Sequence, residues 1–165
     1  MAESFAPPSP SATKVERYRL ALTEIQAVVS GEPNLVARMA TVASMLAASF
    51  ETYLWTGFYA VDPDRPDQLV VGPYQGALGC LRIALGQGVC GTAAAARRTV
   101  IVPDVEAFPG HIACDSRSRS EIVVPVMDAE GRLIAVLDVD SAKVGAFDEE
   151  DKAGLEALVR CVFAT

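Results

Sequence analysis

Two short apolar runs, Ile122–Met127 and Leu133–Val139, flank the turn-forming stretch Asp128-Ala-Glu-Gly. No other feature constrains the chain so tightly. Runs of this length, rich in β-branched residues and separated by turn formers, pair as an antiparallel hairpin. Both faces are apolar, with Val123, Pro125, Ile134 and Val136 on one and Ile122, Val124, Leu137 and Val139 on the other. If Asp128-Ala-Glu-Gly forms the whole loop, Met127 opposes Arg132 and Glu121 opposes Asp138. Alternation then puts Asp138 and Asp140 on the same face, and three carboxylates crowd one end of the sheet. Like charges opposed in a sheet are unfavourable unless they bind a cation or one of them keeps its proton. An amino-acid ammonium, a metal ion and an acid of raised pKa all fit, and so do three solvated charges at a sheet edge. A one-residue error in the loop would turn Glu121 to the other face.

The rest of the chain supplies cover for this hairpin. Val15–Val29 has helical spacing, with Leu20, Leu22, Ile25 and Val29 expected in the core and Gly31 as its stop. Pro33 opens a second helix carrying Val36, Met39, Ala43, Leu46 and Phe50. Trp55–Val61, Leu69–Tyr74, Leu81–Leu85 and Thr99–Val102 read as strands, and a short helix runs from Gly88 through Thr92–Ala96. Asp148 is a candidate N-cap with Asp151 at the third helical position, opening a helix with Leu155, Leu158, Val159 and Val162 inward. The 165 residues suit one domain. The expected architecture is α+β, a mostly antiparallel central sheet flanked by N- and C-terminal helices. Residues 1–13 are expected to form a mobile Pro/Ser/Ala-rich tail and residues 14–165 the domain. Pro103–Arg119 is long and irregular, as functional loops in compact domains are.

Composition excludes several classes of function. Lys and Arg number 14 against 21 Asp and Glu, a formal charge of −7, which repels a phosphate backbone. No apolar stretch approaches the length of a membrane span, and the opening residues lack the basic and apolar regions of a signal peptide. A cytoplasmic location is the expectation. There thiols stay reduced, so the four cysteines point to reactivity or metal binding rather than to a structural framework.

Cys161, three residues after Leu158, reads as a small buried hydrophobe. Cys114 lies in the long loop, in His111-Ile-Ala-Cys-Asp-Ser-Arg-Ser-Arg, where nearby arginines favour a thiolate and a loop leaves the sulfur reachable. Cys80, Cys90 and Cys114 allow a nucleophile with a resolving partner. With His111 they also allow a Cys₃His zinc set, although only His111 and Cys114 have the close spacing such sites favour. A Cys/His dyad has no geometric support from a shared loop, and the single histidine reads as a loop-ordering residue. Gly86-Gln-Gly-Val-Cys-Gly matches a dinucleotide-binding pattern, even to Asp104 downstream. Without repeated βαβ units, it reads as a tight turn before a helix whose N-terminal amides suit a small anion.

Several segments in order, Trp55-Thr-Gly-Phe-Tyr, Gly72-Pro-Tyr-Gln-Gly, Gly86-Gln-Gly-Val-Cys-Gly-Thr, Gly110-His-Ile-Ala-Cys-Asp, Ser120-Glu-Ile-Val-Val-Pro and Val136-Leu-Asp-Val-Asp-Ser, resemble the free methionine-(R)-sulfoxide reductases. These are GAF-domain enzymes of oxidative-stress repair, and the resemblance runs from about Val15 to the C-terminus. It implies a GAF fold, commonly a homodimer. Cys114 matches the nucleophile, Cys80 the resolving cysteine and Cys90 a third cysteine of less settled part. Glu121, Asp138 and Asp140 match the acidic residues that hold the substrate and polarise its sulfoxide, and Trp55 a pocket aromatic. A thioredoxin-type reductant is implied, with no metal or bound cofactor. A non-catalytic GAF sensor that binds a small ligand is the alternative.

Overall fold

The computed structural model describes residues 8–165, so the expected tail over residues 1–7 lies outside the described residues. Pro8–Thr13 is held against the first helix, where Arg17 donates to the carbonyls of Ser9, Pro10 and Ala12. The elements run α1 (Lys14–Val29), α2 (Leu35–Ser49), β1 (Trp55–Val61), β2 (Gln68–Gln75), β3 (Arg82–Ala84), α3 (Gly88–Ala96), β4 (Val100–Val102), β5 (Ser120–Met127), β6 (Leu133–Ser141) and α4 (Glu149–Phe163). A 3₁₀ turn, Val105–Ala107, interrupts the long loop. One six-stranded sheet in the order β3-β2-β1-β6-β5-β4 holds all the strands among the described residues, every pair antiparallel. The hairpin therefore sits inside the sheet, as its two apolar faces require.

Helices α1, α2 and α4 cover one face of the sheet. Their core includes Ile25, Met39, Leu46, Phe58, Ile122, Leu137, Leu155 and Leu158. Two expected core residues lie outside it. Leu20 is exposed because Tyr18, Ala21, Ile25 and Val29 form the inward stripe of α1, and Leu20 falls off it. Val36 is exposed in the first turn of α2, whose buried stripe begins at Met39. The caps are those the residues prescribe. Thr13 and Glu16 form a reciprocal capping box on α1, and Asp148 and Asp151 another on α4. Asp151 also accepts hydrogen bonds from Tyr18 Oη at 2.8 Å and Lys14 Nζ at 2.6 Å, which ties α1 to α4. Cys161, on α4, is half-buried rather than fully enclosed.

The opposite face carries a second core of Trp55, Tyr59, Leu69, Ile83, Val89, Cys90, Val123 and Val136, covered by α3. Here the hairpin register corrects the expected one. Asp128 accepts from the amides of Glu130 (3.0 Å) and Arg132 (2.8 Å), so the loop closes one residue further on. Met127 pairs with Leu133 rather than Arg132, and a bulge then sets Val126 against Ala135. Glu121 consequently faces Asp140, and Val123 faces Asp138. An offset of two residues preserves parity, so all three carboxylates keep a common face. The bulge also turns Ile134 toward the helical core instead of the face of Val136.

Candidate active site

The site is built on two successive cross-strand rows of the α3 side of the sheet. Trp55 (β1), Asp140 (β6) and Glu121 (β5) form the first, and Gly57, Asp138 and Val123 the second. Glycine at position 57 is a steric requirement: a Cβ there would lie 2.2 Å from Tyr74 Cβ and 2.8 Å from the Trp55 ring. That close approach lets the Trp55 ring stack on Tyr59 and Tyr74, at centroid distances of 5.6 and 5.1 Å. Trp55 Nε1 donates to the Ala77 carbonyl at 3.1 Å, and Gly79 rests on the Trp55 and Tyr59 rings. The aromatic platform thereby fixes the segment that carries Cys80.

The glycine-rich turn supplies one wall. Gly86 and Gly88 adopt positive φ, and a Cβ on Gly91 would lie 2.3 Å from the Ala84 carbonyl oxygen. These residues start α3 tight against β3 and place Cys90 in the site. Asp104 caps the 3₁₀ turn, accepting from the Glu106 amide at 3.1 Å, a local role unrelated to a ribose. Gly88, Val89 and Cys90 at the N-terminus of α3 border the cavity.

The loop between β4 and β5 closes the site from above. Cys114 is joined to Cys80 by a disulfide with a Cα–Cα distance of 5.5 Å. His111 Nε2 lies 3.4 Å from Glu121 Oε2, and Ser118 Oγ donates to Asp140. Arg117 does not serve Cys114: its guanidinium is engaged by Asp115 at 2.7 Å. The Cys₃His set does not assemble, since Cys80 and Cys114 are bonded to each other while Cys90 lies buried among carboxylates. Cys90 Sγ is 3.9 Å from Glu121 Oε1, and donor atoms of Cys90, Glu121 and Asp138 lie within 4.8 Å of one another. Such a group suits a small cation or an ammonium. A cavity of about 30 Å³ remains beneath the disulfide.

Burial controls the electrostatics. It raises the pKa of Glu121 and of Asp138 well above the carboxylate range, and the charge of Asp140 raises both further. Asp140 is pushed up to about 6, since burial outweighs the Ser118 hydrogen bond and the nearby His111. The Cys90 thiol is pushed up by burial and then by the surrounding carboxylates, so it stays protonated. Glu121 and Asp138 answer the like-charge problem of the hairpin by holding protons near neutral pH. One Asp138 oxygen, buried, has no hydrogen-bond partner among the described residues.

Trp55, Cys90, Cys114, Glu121, Asp138 and Asp140 thus meet around one cavity, to which Cys80 is tied through its disulfide with Cys114. Residue patterns did not single out Gly57, Tyr59, Ser118 or the contact of His111 with Glu121. For His111 the available signal was its place three residues before Cys114 on the same loop.

A family profile described as GAF domain matches residues 26–161. The free methionine-R-sulfoxide reductase of Escherichia coli is 41% identical, with 88% of this chain and 86% of that protein covered. GAF domain-containing protein A of Dictyostelium discoideum is 47% identical, covering 90% and 91%. The solved structure of free methionine-R-sulfoxide reductase from Neisseria meningitidis, in complex with its substrate, is 46% identical and superposes with a TM-score of 0.89, covering 95% of this chain and 92% of that one. With the fold, the cysteine pair and the buried carboxyl cluster, these similarities place the chain in the GAF-domain family, among the free methionine-R-sulfoxide reductases.

Proposed function

We propose that the protein reduces free L-methionine-(R)-sulfoxide to methionine with the thiolate of Cys114 as nucleophile. One observation carries this reading: a cysteine pair able to form a disulfide lies directly over buried carboxyl groups that retain protons. The activity of the Escherichia coli and Neisseria meningitidis relatives supports the same substrate.

The Cys114 thiolate attacks the sulfoxide sulfur while a protonated carboxyl, Glu121 or Asp138, donates to the leaving oxygen. Acid catalysis of this kind is worth about 10²–10⁴-fold. Asp138, with an oxygen lacking a partner, is built to make one more hydrogen bond. Asp140, the carboxyl that ionises most readily of the three, meets the substrate ammonium. The amides that open α3 suit the substrate carboxylate, and Trp55 packs on the side chain. An amide bond removes both substrate charges, so peptide-bound residues are excluded. The oxygen, protonated once, passes as hydroxide from the substrate sulfur to Cys114 Sγ as the bond between the two sulfurs breaks; its electron pair stays on the methionine sulfur, methionine leaves, and Cys114 is left as a sulfenic acid. Cys80 then attacks Cys114 Sγ, water departs, and the disulfide forms. Cys90 stays a thiol and positions Glu121.

The disulfide-closed cavity has room for a water but not for an amino acid, so the substrate enters once the disulfide has been reduced. The electrons come from a thioredoxin-type dithiol protein, and no bound cofactor or metal is needed. No helix among the described residues is long and apolar enough to cross a membrane. We read the enzyme as a cytoplasmic homodimer, as the family resemblance implies.

The test incubates reduced protein with racemic free methionine sulfoxide, thioredoxin, its reductase and NADPH, and follows each epimer by chiral amino-acid analysis. Loss of the R epimer alone, with methionine appearing in step, is expected. If neither epimer declines while the thiols are shown to be reduced, the proposed activity is wrong.

A further inference from the structure

The disulfide lies within an apolar rim that continues outward from the cavity: Leu78 and Ile112 also border the cavity, whereas Leu81 lies outside its lining. Leu78 is 76% exposed and Leu81 71%, and they bracket Cys80. Ile112, 39% exposed, stands two residues before Cys114. Scattered exposed leucines are ordinary, but three apolar side chains gathered on one reactive bond make a patch with a location. The patch is rigid. The inner side of the Leu78 segment is occupied by the Trp55 and Tyr59 rings under Gly79, and the Leu81 carbonyl accepts from the Val71 amide at 3.0 Å. Ile112 is seated on Gly88, where an added Cβ would lie 3.0 Å from it.

We propose that Leu78, Leu81 and Ile112 form the docking surface for the dithiol protein that reduces the Cys80–Cys114 disulfide, an inference that rests on the catalytic cycle above. The reactive bond at the centre of the patch identifies the occupant. A partner seated here must bring a thiolate into line with the S–S bond, and an apolar collar around an exposed cysteine is the complementary surface. A small charged thiol would gain nothing from two leucines. Cys114 is exposed and Cys80 half-buried, so the incoming thiolate bonds to Cys114 Sγ. The S–S bond breaks, and Cys80 Sγ leaves with the electron pair and takes a proton. The partner's second thiolate then attacks the mixed disulfide and releases Cys114. The partner dithiol loses two electrons and two protons, which the Cys80–Cys114 pair gains.

The experiment measures reduction of the oxidised full chain rather than sulfoxide turnover. Parent, the double variant Leu78→Gln/Leu81→Gln and the distant exposed control Val36→Gln are each reduced by a bacterial thioredoxin and, separately, by dithiothreitol. Circular dichroism checks the fold. The double variant should lose about tenfold or more in its second-order rate with thioredoxin, as hot-spot truncations do, while its dithiothreitol rate stays within about twofold of the parent. The control should match the parent with both reductants. The proposal is overturned if the thioredoxin rate survives the double substitution, if both rates fall together, or if the parent itself is reduced no faster by thioredoxin than by dithiothreitol. A rise in KM for the sulfoxide with thioredoxin reduction intact would overturn it too, assigning Leu78 to the substrate pocket. Because disulfide exchange needs no sulfoxide, failure of the proposed activity would leave this result readable.

Discussion

Replacing Asp140 with Asn tests whether the carboxyl cluster holds protons in the fold. The folded-state pKa of Asp140 is about 6 against an ordinary 3.8, a rise of about 2.2 units. At about 1.36 kcal/mol per unit this corresponds to a ceiling of about 3 kcal/mol. Because the value is raised, the fold binds this proton more tightly than the unfolded chain does. The stability it contributes is complete below about pH 4 and is lost as the pH climbs through about 6. About 2 kcal/mol of the loss falls between pH 4.5 and pH 8, which for a chain of this size is about 4–8 °C in Tm. Asparagine keeps the shape, can still accept from Ser118 and does not titrate. Relative to the parent, Asp140→Asn should therefore gain about 2 kcal/mol between pH 4.5 and pH 8. Urea unfolding of the disulfide-bonded proteins at both pH values gives the difference directly. A gap between variant and parent that stays constant within about 0.5 kcal/mol would refute the claim that burial dominates this carboxyl.

Two further outcomes follow from the same geometry. Cys80→Ser should release about one methionine per site from racemic sulfoxide in a rapid-quench experiment and then stall; continued thioredoxin-driven turnover would show that Cys90 resolves the sulfenic acid instead. Gly57→Ala forces a Cβ to within 2.2 Å of Tyr74 and into the Trp55 ring, so it should cost about 1–3 kcal/mol in urea unfolding and change the fluorescence of the single tryptophan. Stability within about 0.5 kcal/mol of the parent would mean that the aromatic stack tolerates a wider spacing.

Much of the frame can be read locally. The hairpin, the Asp148/Asp151 cap and the strand Trp55–Val61 depend on alternation, turn residues and side chains within one helical turn, and all three stand in the structure. The common face of Glu121, Asp138 and Asp140 also survives, even though their register is displaced by two residues, because strand parity tolerates an even shift. An odd shift would have lost the site.

Residue order alone thus determined an antiparallel α+β domain with three carboxylates on one sheet face and a cysteine-bearing loop nearby. Tertiary structure decided the rest. Residue spacing left Cys80, Cys90 and Cys114 as three candidate thiols; folding brings the Cα atoms of Cys80 and Cys114 to 5.5 Å across 34 residues and buries Cys90 among the acids. It swings His111 to Glu121, and it holds Arg117 on Asp115, away from the role its position suggested. The physical reason is range. Periodicity and capping are set by neighbours in the chain, whereas sulfur pairing, burial and proton affinity are set by groups that only the closed fold brings within a few ångströms.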